Sequence, residues 1–561
     1  MVRAMIAIPF ALALTLPAAA AKEQWVRINS PDFEVFTSAP EREGRELLRN
    51  FQQIRGFFEK ASPVPLLEQF PVRIIVFGSK DRYQPYAPNA AVVAYATSSR
   101  QTDCIVMQEA SPESNGYAVH EYMHLLVRHS GLNVPVWLNE GWADVYSTLR
   151  PVRGGVAVGD LIARRVSDLE SEEWLSFEAL TSVTQDSPTY REGNRIGVFY
   201  AQSWALVHML FLSPEYSANF PKFLIALHRG RSAGEAAQEA WGRSPEQLFA
   251  DLHSYFTRKK LYGRVFEAPL GKSERGIVVS KLADFDSRLL LADLQAAIGH
   301  TDQARTEYAE LEQTNPGNAE LSESLGYFAL RNHDTQAARG YFETAFATGR
   351  GDARMCYELA LLERAARRPD QAEAALERAI RSKPDYADAL VQLGVIRLAA
   401  RRYQGAIDAL MSIRKVTPLH ATPLFTALAY AYFETGDLDK ARSNALTAKK
   451  YALIAKQESG VDELLGIIDA RAKGPFAPKP GEPTERMEGV LQTVECAAGG
   501  NRLTMLVGQT NRVFELPDPK AVEFIHTGGG AGLQLSCGPQ QPMRLVVDFA
   551  PASNVVRRLE Y

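Results

Sequence analysis

His120, Glu121 and His124 stand in the stretch Gly116-Tyr-Ala-Val-His-Glu-Tyr-Met-His-Leu-Leu-Val127. On an α-helix, residues four apart lie about 40° apart round the axis, so the two imidazoles share one face. Zinc accepts imidazole nitrogen at about 2.0–2.1 Å, and Glu121, turned about 100° from His120, can reach a water held by the ion instead of the ion itself. The third ligand has to come from elsewhere, and Val136-Trp-Leu-Asn-Glu-Gly-Trp-Ala-Asp144 offers it. Glu140 completes a two-histidine, one-carboxylate set, which leaves a fourth position for water. Asp144, four residues on, lies on the same helical face, from which its carboxylate can accept the other N–H of a ligating histidine and fix its tautomer. His129, nine residues from His120, falls on the opposite face and does not add to the set. His208 could serve as a second oxyanion donor, though a lone histidine on such a helix is more often partly buried.

H-E-x-x-H followed by W-L-N-E-G-x-A resembles the gluzincin metallopeptidases, which include thermolysin and the alanyl-aminopeptidase-like enzymes. The resemblance implies an α+β metallopeptidase domain with Zn2+ as cofactor. It makes His120, His124 and Glu140 the zinc ligands, Glu121 the catalytic base, and a peptide or protein the substrate. Phe199-Tyr200-Ala-Gln-Ser-Trp-Ala-Leu-Val-His-Met-Leu210 is similar to the aminopeptidase-like Y-x-K-G-A helix, which implies that Tyr200 stabilises the oxyanion. The lysine and glycine of that pattern are Ser203 and Trp204 here, one residue displaced or absent. Fifteen residues separate His124 from Glu140, a tighter link than in the aminopeptidase-like members, and the G-x-M-E-N element that grips a free amino terminus is not found before His120. An endopeptidase is therefore expected rather than an aminopeptidase. A metzincin would need glycine and a third histidine where Val127 and Ser130 stand.

These residues need a scaffold. Between Trp25 and Gln108, Asp32–Phe36, Val72–Phe77, Ala91–Tyr95 and Cys104–Met107 read as strands, and Leu47, Leu48, Phe51, Ile54, Phe57 and Phe58 recur at helical spacing. A small mixed sheet therefore precedes the His120 helix, with Cys104–Met107 as candidate edge for pairing with an extended peptide. Beyond it, Gly193–Leu212 reads as an amphipathic helix, and Ser244-Pro-Glu-Gln247 as a capping box opening a helix that runs to about Leu261. The peptidase-like domain is placed at residues 22–265.

Residues 280–455 carry a repeat. Pro384 and Pro418 are 34 residues apart, and Ala319, Ala353, Ala387 and Ala421 keep the same beat, as do Ala304, Ala338, Ala372 and Ala406. Gly326, Ala360 and Gly394 mark it again. The period resembles the tetratricopeptide repeat, implying an all-α solenoid of about five helix pairs with a surface for a protein or peptide partner. A proline-rich linker, 474–484, leads to residues 485–561, whose short strand-like runs predict a small all-β sandwich or barrel. Cys496 and Cys537 each end such a run and form the one plausible disulfide among four cysteines, none in C-x-x-C spacing. Gly528–Gly532 lacks the G-K-[ST] and the helix of a phosphate cradle and reads as a hairpin loop.

The fold class is thus multidomain. Lysine plus arginine, 62, nearly balances aspartate plus glutamate, 66, for a net charge of −4, which disfavours nucleic acid as a partner. Residues 1–21 read as a cleaved signal peptide, no cysteine follows for lipidation, and no later run of 18 apolar residues would span a bilayer. The expected location is the periplasm or the exterior. Two functions fit: an exported zinc peptidase whose repeats recruit a partner, or a non-catalytic exported repeat scaffold carrying an inactive peptidase-like domain.

Overall fold

The structure, a computed structural model, describes residues 24–561 except 62–69, 91, 154, 188–194, 259–260, 268–275, 453–454, 473–481, 498–499, 517–521, 526–532 and 534. The leader at 1–21, most of the proline-rich linker and the glycine loop at 528–532 lie outside the described residues.

β1 (Val26–Asn29) and β2 (Phe33–Thr37) form an antiparallel pair, against which α1 (Glu41–Ala61) buries Leu47, Leu48, Phe51, Ile54, Phe57 and Phe58, the six residues at helical spacing. β3 (Val72–Val76) runs parallel to β2. The short α2 (Lys80–Tyr83) leads into the hairpin β4 (Ala94–Ser98) and β5 (Asp103–Met107), of which β5 lies parallel to β3. The expected edge strand is thereby corrected. Cys104–Met107 is paired on both sides and fully buried, and the edge is β4, because the Ser99–Thr102 turn folds it back along β5. Of the run that begins at Ala91, which itself lies outside the described residues, Val92 and Val93 precede the strand and β4 starts at Ala94.

α3 (Pro112–Ser130) and α4 (Val136–Ser147) follow, then the hairpin β6 (Arg150–Val152) and β7 (Gly155–Val158). Among the described residues six α-helices come next: α5 (Ala163–Ser171), α6 (Phe177–Thr181), α7 (Ile196–Leu212), α8 (Phe220–His228), α9 (Ala233–Trp241) and α10 (Pro245–Thr257). The capping box at Ser244 and Gln247 is formed, with both reciprocal bonds present. α7 departs from expectation. From Ala201 to Leu212 every residue is buried, so it is the central core helix, covered all round, rather than an amphipathic one. No single helix among the described residues is long and apolar enough to cross a membrane.

β8 (Arg264–Glu267) pairs with β7, and β9 (Val278–Lys281) pairs antiparallel with β1 to complete a six-stranded sheet of order β4-β5-β3-β2-β1-β9. The sheet therefore takes in residues beyond 265, where the sequence places the end of this domain. A four-residue, largely exposed strand carries no alternation to reveal it.

The repeat helices begin with α11 (Asp284–Ala297), α12 (Thr301–Thr314), α13 (Ala319–Arg331), α14 (Thr335–Ala347) and α15 (Ala353–Ala365). The chain divides into two compact units, residues 1–362 and 363–561, and the division falls inside α15. In the second unit stand α16 (Pro369–Ser382), α17 (Ala387–Ala399), α18 (Tyr403–Met411), α19 (Pro418–Thr435), α20 (Leu438–Lys450) and a further helix, α21 (Ala455–Ala472), past the expected end at 455. The residues on the 34-residue beat sit where paired helices cross. A Cβ added to Gly326 would lie 2.3 Å from the Phe342 ring, and one on Gly394 2.6 Å from Leu410 Cγ. Only a hydrogen atom fits there.

β10 (Glu485–Ala497), β11 (Gly500–Val507), β12 (Thr510–Leu516), β13 (Glu523–Ile525), β14 (Gly538–Ala550) and β15 (Val555–Glu560) make the expected small β domain. Its order is β12-β11-β10-β14-β15-β13, and a parallel pairing of β12 with β15 closes it into a barrel around Leu503, Met505, Phe514, Leu545 and Val547. Cys496 and Cys537 are joined as a disulfide, whereas Cys104 and Cys356 are free and buried.

Candidate metal centre

α3 starts cleanly because Ser111 accepts the Ser114 N–H as N-cap, and it stops at Gly131, whose φ of 69° is the left-handed conformation favoured by glycine. Between these ends its apolar face buries Tyr122, Met123 and Leu126, which leaves His120, Glu121 and His124 less covered. α4 lies across α3 and against α7. At Gly141 the approach to α7 is so close that a Cβ would stand 2.2 Å from the Ser203 carbonyl oxygen. The glycine of W-L-N-E-G is thus what lets the backbone beside Glu140 sit against the core helix.

Among the described residues, one group could hold a metal ion: His120, His124 and Glu140. The Nε2 atoms of the two histidines are 3.1 Å apart, and each lies 3.5 Å from Glu140 Oε2. Ligands at the corners of a tetrahedron of about 2.0–2.1 Å radius are about 3.3 Å apart, so the spacing matches a zinc site. The donor chemistry matches too, with two imidazole nitrogens and one carboxylate. Asp144 Oδ1 accepts His120 Nδ1–H at 3.0 Å, which leaves the Nε2 lone pair facing the other two ligand atoms.

The electrostatics point the same way. Burial alone would lower the His120 pKa, yet hydrogen bonds to Asp144 and Glu140 outweigh it and push it up to about 10. Burial opposes and Glu140 raises the pKa of His124 in the same manner. Burial would raise Glu140 and Asp144, but the histidines, with Arg165 added at Asp144, hold both carboxyls below the usual range. A pocket that draws protons onto two histidines is one whose negative potential a dication would neutralise.

Glu121 lies beside the ligands with Oε2 accepting the Ala96 N–H of β4 at 2.9 Å. Among the described residues the buried Tyr83 hydroxyl has no hydrogen-bond partner; burial, and then the charge of Glu121, push its pKa up. Tyr200 reaches the site through Arg165, whose guanidinium carbon lies 4.8 Å from the Tyr200 ring centre while its Nε donates to Asp144 Oδ2 at 2.7 Å. Arg165 has no signal in the sequence. It sits on the polar side of a short surface helix, where an arginine ordinarily reads as a solvated charge. His208, weighed as an oxyanion donor, has both nitrogens engaged elsewhere: Nε2 donates to the Gly159 carbonyl at 3.0 Å, and Nδ1 accepts from the Tyr255 hydroxyl at 2.9 Å. It is a satisfied core histidine. His129 turns away from the centre and binds Asp103 at 2.8 Å.

A tetratricopeptide-repeat family profile matches residues 289–353 and 357–414. No curated protein matches the chain. Among solved structures it is similar to YrrB, a TPR protein with an unusual peptide-binding site, at 17% identity over 32% of this chain and 92% of that one, with a TM-score of 0.30. It is also similar to MamA, at 21% identity over 30% and 91% with a TM-score of 0.26. A third is a tetratricopeptide repeat protein from Parabacteroides merdae ATCC 43184, at 15% over 34% and 75% with a TM-score of 0.28. The chain carries tetratricopeptide repeats, and repeats of this kind are in general protein-interaction modules.

Proposed function

We propose that the protein is an exported zinc-dependent peptidase of gluzincin type, cutting within peptide chains, whose repeats engage a protein or peptide. The observation that carries this reading is the convergence of His120, His124 and Glu140 to ligand spacing with Glu121 next to them. His120, His124 and Glu140 would hold the zinc, which when bound supplies a Lewis acid for the peptide carbonyl and lowers the pKa of water to about 7. The chain's own residues do the rest. Asp144 and Arg165 fix the tautomer of His120. Glu121 removes the proton of the attacking water and passes it to the leaving nitrogen, with the Ala96 N–H holding its carboxylate in place. β4, paired on one side only, offers backbone groups to an extended substrate, and Tyr200 donates to the oxyanion.

The test is zinc content together with casein hydrolysis. Hydrolysis should vanish with a chelator and return with zinc, and Glu121→Gln should keep the zinc and lose the hydrolysis. A Glu121→Gln protein that cleaves at the wild-type rate overturns the assignment. A second reading rests on the repeats: a non-catalytic scaffold in which the centre is retained without turnover. Full zinc occupancy with no hydrolysis of any peptide would favour it.

A further inference from the structure

The first three repeats already have an occupant, and it belongs to the same chain. The turn Ser99–Thr102 at the tip of the β4–β5 hairpin is tied to itself, with Ser99 N donating to the Thr102 carbonyl at 3.0 Å and Thr102 N to Ser99 Oγ at 3.1 Å. Its two central residues point into the repeats. Gln101 Nε2 donates to Asp293 Oδ2 on α11 at 2.9 Å, and Arg354 Nη1 on α15 donates to the Gln101 carbonyl at 2.7 Å. Arg100 Nη1 donates to Glu358 Oε2 on α15 at 2.8 Å. Between them, Ser324 on α13 donates to the same Asp293 oxygen at 3.1 Å. The first helices of three successive repeats therefore meet at this turn, directly or through one buried carboxylate.

Arg354 has a second hold on the sheet, since its guanidinium carbon lies 4.2 Å from the ring centre of Phe70, just ahead of β3. Both strands of the same hairpin are fastened to the helix of the metal centre. Asp103 binds His129 at 2.8 Å, and Ala96 N–H donates to Glu121 at 2.9 Å. β4 is a five-residue edge strand with a partner on one side, the kind of element that opens locally at little cost unless its end is secured. The repeats secure it.

We propose that the first three repeats are an internal clamp that sets β4 against Glu121, making Arg354, Gln101 and Asp293 positioning residues for hydrolysis. The inference rests on the peptidase reading for its catalytic consequence, though not for the clamp itself. Arg354 acts through the hairpin, and a displacement of about 1 Å at a reacting centre is enough to cost up to about a hundredfold in rate.

The experiment uses the full chain and follows amide hydrogen exchange over residues 94–107, with zinc content and casein kcat/KM measured in parallel. Arg354→Ala should speed exchange in 94–98 and lower kcat/KM about tenfold with zinc content unchanged. Arg354→Lys, which keeps a donor for the Gln101 carbonyl, should restore most of both. Gln101→Ala, which removes the donor to Asp293 at a half-buried turn residue, gives the same direction in smaller measure and serves should Arg354→Ala fail to fold. Unchanged exchange at 94–98 in both alanine variants overturns the clamp. A wild-type protein without hydrolysis overturns the peptidase reading, and the exchange result then decides the clamp alone.

Discussion

His120 and Arg165 share one buried carboxylate: Asp144 takes the imidazole N–H at 3.0 Å through Oδ1 and the guanidinium Nε–H at 2.7 Å through Oδ2. The arginine balances the charge that orients His120, so on the zinc reading proposed above removing either group should be felt at the metal. Asp144→Asn should weaken zinc binding about 10–100-fold, and Arg165→Ala should weaken it by less, because His120 keeps its acceptor. Competition with a chromophoric chelator measures both. Equal affinity in Asp144→Asn and wild type would show that this bond does not tune the site.

Gly141 and Gly56 make a matched pair. A Cβ on Gly141 would meet the Ser203 carbonyl at 2.2 Å, whereas nothing lies within 4 Å of one on Gly56, inside α1. Gly141→Ala should therefore destabilise by about 1–3 kcal/mol or more and loosen zinc, since α4 must move with Glu140 on it. Gly56→Ala should stabilise by about 0.5–1 kcal/mol, the helix-propensity and chain-entropy gain alone. Denaturant unfolding of the two variants in parallel separates close packing from propensity.

The grouping of His120, His124 and Glu140 was legible because helical geometry ties His120 to His124 and a short link bounds where Glu140 can be. The 34-residue beat was legible for a similar reason, being enforced by side chains that must be small, such as Gly326 and Gly394. What stayed hidden depends on partners far away in sequence. The runs Ala91–Tyr95 and Cys104–Met107 are both apolar in the sequence, and only the turn at Ser99 decides which of the two strands becomes the edge. α7 carries polar residues such as Gln202 and His208 that mimic a wet face. In the folded chain Gln202 bonds the Leu175 backbone in both directions, at 2.6 and 3.0 Å, and His208 bonds Gly159 and Tyr255.

The buried His208 also predicts how the first unit responds to acid. Burial lowers its pKa from 6.5, against the weaker opposing effect of the Gly159 carbonyl. Below pH 6.5 the unfolded chain takes up a proton that the folded chain refuses, so the unfolded state binds more protons and stability falls as the pH drops through that value. The slope from this one group is at most about 1.4 kcal/mol per pH unit, ending where the folded histidine itself titrates. Melting curves at pH 7.5 and 5.0 should show the loss, and His208→Gln, less stable at the higher pH, should show a shallower one. Parallel profiles would assign the acid sensitivity to other groups.

The repeats hold a second beat that the small residues do not reveal. Gly299, His333, Arg367, Arg401 and Gly436 close the first helix of each successive pair, with φ of 87°, 62°, 60°, 58° and 88°. The residue after each donates its N–H five back, as in Asp334 to Ala329 and Arg402 to Arg397, at 2.9 and 2.8 Å, which is the Schellman arrangement. A left-handed conformation suits glycine and costs other residues roughly 1–2 kcal/mol, so three of these five caps carry strain. Replacing His333, Arg367 or Arg401 by glycine should raise stability by about 0.5–1 kcal/mol each, the relief being partly offset by the greater freedom of the unfolded chain. Gly299→Ala should lower it by about 1 kcal/mol. Because the caps stand 34 residues apart on separate helices, the Arg367→Gly and Arg401→Gly gains should add in the double variant. Urea unfolding followed by circular dichroism checks the set, and a loss of stability on any of the three glycine substitutions would mean that the native side chain contributes more than its backbone strain costs.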